Sequence, residues 1–125
     1  MPNPRYNQTT TIFASAARTA TVNGDDLKND VGKGVHVVID STAVGVTPST
    51  VFTIQGKDDV SGKYYTILAS AAVTTVSTTV LRVYPGLTAA ANTVASDVLP
   101  RIWRVIATHG NSVTHTYSVG ASVII

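Results

Sequence analysis

The chain ends in a strict alternation. In VTHTYSVGASVII, residues 113–125, Val113, His115, Tyr117, Val119, Ala121 and Val123 fall on one side, and Thr114, Thr116, Ser118, Gly120 and Ser122 on the other. Period two of this kind marks a strand with one buried face. RIWRVIATH, residues 101–109, repeats it: Trp103, Val105 and Ala107 share one face, Ile102, Arg104 and Ile106 the other. HGN between them, residues 109–111, predicts a tight hairpin turn with Gly110 at a positive φ. Further strands are expected over residues 11–17, with 19–22 continuing the edge, and over 35–40, 50–55, 64–69 and 78–84. Each is rich in β-branched or aromatic residues and bounded by turn formers. About seven to eight short strands predict an all-β chain, a single β-sandwich or jelly-roll-like domain spanning residues 11–125.

Four segments break the alternation. Residues 1–10 (MPNPRYNQTT) read as an extended N-terminal arm, because Pro2 and Pro4 block helix and threonine favours extended backbone. Such an arm is either a free tail or a segment ordered by a neighbour. Residues 23–34 (NGDDLKNDVGKG) are a charged loop, and 41–50 (STAVGVTPST) a second one. Residues 85–100 (PGLTAAANTVASDVLP) are Ala-rich between two prolines, which predicts a short helix or an ordered Ω-type loop over one end of the sandwich.

Composition narrows this further. The chain has 125 residues, no cysteine and no glutamate, and 13% of it is charged, against a typical quarter. A chain of this length buries a core without disulfide staples, and its thiol-free composition fits assembly in a reducing cytosol. A net charge of +2 with pI ≈ 9.1 rests on few groups and gives little ground for nucleic-acid binding. The uncharged run over residues 64–81 is cut by Thr and Ser, so a membrane span is not expected, and MPNPRYNQTTT lacks the apolar stretch of a secretory signal. So polar yet uncharged a surface is either covered in an assembly or solvated by its hydroxyls and amides.

The candidate chemistry fails on spacing and geometry. GKDDVSGKYYTI, residues 56–67, hints at a phosphate loop, but G-x-x-x-x-G-K-[ST] would put glycine where Lys57 stands and Ser or Thr where Tyr64 stands. A strand follows it, not the helix whose N-terminus would meet phosphate. Asp58 and Asp59, adjacent on an extended chain, point to opposite sides and do not converge as an acid/base pair. The stretch therefore predicts a hairpin tip, with Gly62 in the strained position and Lys57 and Lys63 offsetting the two carboxylates. Asp25, Asp26 and Asp30 lack the spacing of a calcium loop. Of His36, His109 and His115, only the last two are near in sequence, too few for a zinc site. No G-x-S-x-G elbow is present. Trp103 and Arg104 face opposite ways, which splits the one basic–aromatic cluster and makes Trp103 a core anchor. No enzyme, cofactor, metal, small-molecule substrate or nucleic-acid partner is expected.

With the strands placed, QGKDDVSGKYYTILASAA followed by TTVLRVYPGLTAAANTVASDVLPRIWRV resembles a family of small structural proteins of tailed bacteriophages, especially those of actinobacterial hosts. The resemblance covers roughly residues 12–125. It implies a virion β-domain, foremost a capsid decoration (cement) protein on the outer surface of an HK97-type shell, assembled in the host cytoplasm. Its partners would be the major capsid protein and copies of itself, as a homotrimer. Pro4, Arg5, Tyr6, Asn7 and Gln8 of the arm, with Lys57, Asp58, Asp59 and Lys63 of the hairpin tip, are the expected partner-interface residues. The alternatives are a tail or head–tail connector component, or a carbohydrate- or cell-binding module of a tail fibre in which Tyr64, Tyr65 or Tyr84 stacks on sugar beside Asn92.

Overall fold

A computed structural model describes residues 8–125. Ten strands form two sheets, and no helix occurs among the described residues. In chain order they are β1 (Gln8–Arg18), β2 (Val22–Asn23), β3 (Leu27–Lys28), β4 (Gly34–Val44), β5 (Thr50–Lys57), β6 (Tyr64–Ala69), β7 (Ser77–Val83), β8 (Val94–Ala95), β9 (Ile102–His109) and β10 (His115–Ile124). Sheet A runs β1-β10-β4-β7-β8 and sheet B runs β2-β9-β5-β6, with β3 also on β9. All pairs are antiparallel except β7–β8. The expected all-β sandwich is what forms: seven long strands with three of two residues each.

The alternation places the core. β10 alternates buried and half-buried along its whole length, and Trp103, Val105 and Ala107 of β9 are buried as their shared face predicts. Val35, Val37 and Ile39 of β4, Phe52 and Ile54 of β5, and Leu81 and Val83 of β7 complete the layer between the sheets. Burying such side chains contributes about 1.5–3 kcal/mol each before the entropy of ordering is charged.

The structure corrects the β9–β10 hairpin and Gly110, decides between the two expectations for residues 85–100, and moves two element bounds. β9 and β10 are not a hairpin: β9 lies in sheet B and β10 in sheet A, so residues 110–114 carry the chain across the sandwich. Both strands need only an inward apolar face, and each finds a long partner elsewhere, β5 for β9 and β4 for β10. Gly110 accordingly needs no left-handed backbone; its N–H donates to the Ser49 carbonyl, and the positive-φ glycines are Gly62 and Gly86. Residues 85–100 hold no helix. The Thr93 and Val94 N–H groups both donate to the Ala90 carbonyl around a left-handed Asn92 (φ 63), and β8 then joins β7. Of the two expectations there, the ordered loop is the one observed: no apolar stripe at helical spacing outweighs the added strand. Finally, β4 runs on through Val44, into the expected loop, and β1 begins at Gln8, so residues 8–10 of the expected arm belong to the sandwich.

Candidate functional site

The β5–β6 hairpin carries the charged tip predicted at residues 56–67. Its turn is built by Asp58. The Asp58 carboxylate accepts from the Ser61 hydroxyl (2.7 Å) and from the Val60 and Ser61 N–H groups (3.3 Å each), while its backbone exchanges bonds with Lys63 and Gly62. These donors, the Ser61 hydroxyl first, hold the Asp58 carboxyl below its ordinary value. Gly62 sits at φ 73, the strained position expected for it.

The charge pairing differs from expectation. Lys57 does not offset the turn carboxylates; its Nζ reaches Asp26 at 3.1 Å, on the segment between β2 and β3. The cause is the pleat: Lys57 is the last residue of β5, on the outward face with Gln55, while the turn lies beyond it. Asp59 faces Arg101 at 3.9 Å, an exposed pair that adds little stability. Lys63 contributes backbone, its N–H donating to the Ser61 hydroxyl. Of the other expected interface residues, Gln8 pairs with Val123 in β1, and Pro4, Arg5, Tyr6 and Asn7 lie outside the described residues.

Around Asp26 the outer face of sheet B gathers a polar cluster. Asp26 accepts from the Tyr64 hydroxyl (2.7 Å) and from Lys57, and these two bonds pull its carboxyl below the ordinary value and hold the lysine above its own. The Arg104 guanidinium stacks 3.5 Å from the Tyr64 ring centroid, and its Nε donates to Gln55 Oε1 at 2.9 Å. Lys57 thus pairs with the carboxylate directly, while Arg104 lies over the ring whose hydroxyl donates to it. The cluster holds the β2–β3 segment to the β5–β6 hairpin. It also occupies a face of the Tyr64 ring that a sugar would need. Tyr65 lies against Gly56, and Tyr84 donates its hydroxyl to the Ile125 carbonyl. The groove of about 330 Å³ that Asn92 lines is walled by Ala, Val, Thr and Ser without an aromatic ring.

A second polar group is sealed inside. His115 is wholly buried, with Nε2 2.7 Å from the Ser41 hydroxyl and Nδ1 2.9 Å from that of Thr50. The pair has the spacing of a nucleophile and base, but a hydroxyl stands where an orienting carboxylate would be, and Ser41 is 1% exposed. The arrangement satisfies a core histidine. His109 Nε2 lies 2.9 Å from the Tyr117 hydroxyl, and Arg18 stacks over the same ring while donating to the carbonyls of Ala14, Ala16 and Tyr117. Burial lowers both histidines, helped by Arg18 at His109 and by His109 at His115; burial also pushes Tyr117 up to about 12. Among the described residues no three metal-ligating side chains converge, and no helix is long and apolar enough to cross a membrane.

The outer face of sheet A is the plainer of the two. Strand register lines up Thr11, Gly120, Val38 and Val80 in one cross-strand row, flanked by a row of Thr9, Ser122, His36 and Arg82 and by a row of Ser118, Asp40 and Thr78. The central row has no charge. Val38 is 40% exposed, and a shallow depression of about 200 Å³ lies at Gly120. Sequence reading missed this surface because each strand alone shows only scattered Thr, Ser and Val; the register makes the row.

No family model and no curated protein matches the chain. Among solved structures it is similar to the structure of infectious bursal disease virus Gx strain, with a TM-score of 0.40 and 10% identity over 94% of this chain and 32% of that one. The chain thus spans about a third of that chain's length.

Proposed function

We propose that this domain is a structural protein of a tailed-phage virion, foremost a capsid decoration protein that binds the outer surface of an HK97-type shell and bridges capsomers. Its work in this role is contact, not a reaction. The observation that carries the reading is the uncharged row across sheet A, Thr11, Gly120, Val38 and Val80. A sheet face of small and β-branched side chains, with charged residues only in the rows that flank it, has the charge-depleted centre and polar rim of a protein interface. The resemblance of the hairpin, the LRVYPG strand and the LPRIWRV strand to phage structural proteins supports the same reading. Many weak contacts of this type, repeated over a lattice, add up to firm attachment. Assignment to a tail or connector is the competing position within the virion. Counting the protein per particle separates them: hundreds of copies fit decoration, a handful fit a connector or tip, and intermediate multiples fit a tail tube.

A further inference from the structure

The outer face of sheet A carries opposite charges on the two sides of its neutral row. Arg82 and His36 stand in the row on one side, and Asp40 stands in the row on the other. These are the titratable side chains of the three rows. All three point outward, because Val35, Val37 and Ile39 of β4 and Leu81 and Val83 of β7 hold the alternate, inward positions.

Arg82 and Asp40 are both exposed, and among the described residues neither joins an ion pair. They are too far apart to pair with each other. Arg82 lies opposite His36, four residues along β4 from Asp40. Four residues along a strand and one strand across set the two Cα atoms about 14 Å apart.

A face with opposite charges on either side of a neutral strip is complementary to itself. Two kinds of half-turn lay such a face on a copy. A half-turn about an axis along the strands puts each row on its own counterpart, so the cationic rows face each other and so do the acidic ones. A half-turn about the central row exchanges the flanking rows instead. His36 of one copy then lies over Asp40 of the other, and Arg82 lies one strand, about 4.8 Å, to the side of it. The two-fold symmetry makes this contact twice. Val38 and Val80 meet their own counterparts on the axis, and Gly120 adds no side chain to the row. The strands of the two faces run antiparallel, within the aligned range of packed sheets.

We infer that two copies of the chain pair through the outer face of sheet A, antiparallel about the row of Thr11, Gly120, Val38 and Val80, with Asp40 of each copy against Arg82 and His36 of the other. Three rows across four strands cover about 20 Å by 20 Å, a small footprint, so the pair is weak and reversible. It uses the face assigned above to shell attachment. Pairing therefore belongs to the free protein, and it gives way where a shell offers the same surface many repeated contacts.

Sedimentation of the full chain, with no shell present, should show a monomer–dimer equilibrium that closes at two copies. Arg82→Asp and Asp40→Arg each set like charges together at both symmetric contacts and should weaken the dimer at least about tenfold. Two recoveries follow from the geometry. Arg82→Asp/Asp40→Arg restores opposite charges at both contacts and should return to within about threefold of the parent. An equimolar mixture of the two single variants restores them in the mixed pair, and should dimerise where neither variant does alone. Either recovery also shows that the single variants fold. A parent that stays monomeric at all concentrations overturns the inference. So do single variants that dimerise like the parent, or that neither recovery rescues. Rescue by the mixture without the double variant assigns the pair to the other half-turn and overturns the antiparallel arrangement, as does a mass that grows beyond two copies. Failure of the pair leaves shell attachment standing, and failure of shell attachment leaves the pair standing, so the two results are separate.

Discussion

At Gly62 the backbone is left-handed, and a Cβ added there meets nothing within 4 Å. The cost of Gly62→Ala is therefore conformational, not steric: about 1–2 kcal/mol of unfolding free energy in urea titration. Gly62→Asn should cost less, since asparagine tolerates this region. The buried histidines make a second prediction. Both are depressed by burial in the folded chain, whereas the unfolded chain takes up protons near pH 6.5. The unfolded state therefore binds more protons below that value. Stability present above about pH 6.5 is lost as pH falls through it. Melting temperature should drop between pH 7 and 5, and the drop should shrink in His109→Gln/His115→Gln relative to the parent. Tyr117 works in the opposite direction, and its contribution is lost as pH rises beyond about 10. Turn chemistry made Gly62 legible in the sequence, because local spacing alone defined a hairpin tip. Asp26 with Lys57 and Tyr64 was not legible: the partners are 31 and 38 residues apart, and only sheet pairing brings them together.

Element packing yields a contrast between two glycines. In β4 a Cβ on Gly34 would lie 2.0 Å from the Val83 carbonyl oxygen of β7, a backbone atom that cannot step aside. Gly34→Ala should cost about 1–3 kcal/mol by overpacking. In β10 a Cβ on Gly120 would meet only the Thr10 carbonyl, at 3.9 Å, so Gly120→Ala should change stability by less than about 0.5 kcal/mol. Chemical denaturation of the two variants side by side checks both. The same elements show where periodicity stops informing. Alternation in residues 101–109 and 113–125 correctly assigned the inward faces of β9 and β10. It could not tell a hairpin from a crossing between sheets, because both present the same faces to the core. The Ala-rich residues 85–100 were ambiguous for a related reason: alanine is the best helix former, but propensity is a weak determinant that tertiary pairing overrides, and pairing with β7 decided the outcome.

Among the described residues, β5–β6 is the one pair of long strands joined by a hairpin; the other long-strand pairings span distant parts of the chain. Strand content and core membership were therefore readable, and sheet order was not. The candidate surface followed the same division. Charged residues at the hairpin tip stood out in the sequence, yet most are occupied by the turn and by Asp26 and Arg101. The uncharged row of sheet A emerged only from register. As a decoration protein, the domain would use this row to attach to a repeating shell. The most direct test of that attachment is to add the purified protein to phage shells that lack it and measure bound copies per shell, with Val38→Asp alongside the parent. Saturable binding at a fixed ratio to the major capsid protein is expected, with raised heat resistance of the shell and at least about tenfold weaker binding for Val38→Asp, whose charge would be buried unpaired. Shells that bind nothing, or that bind parent and Val38→Asp equally, would contradict it.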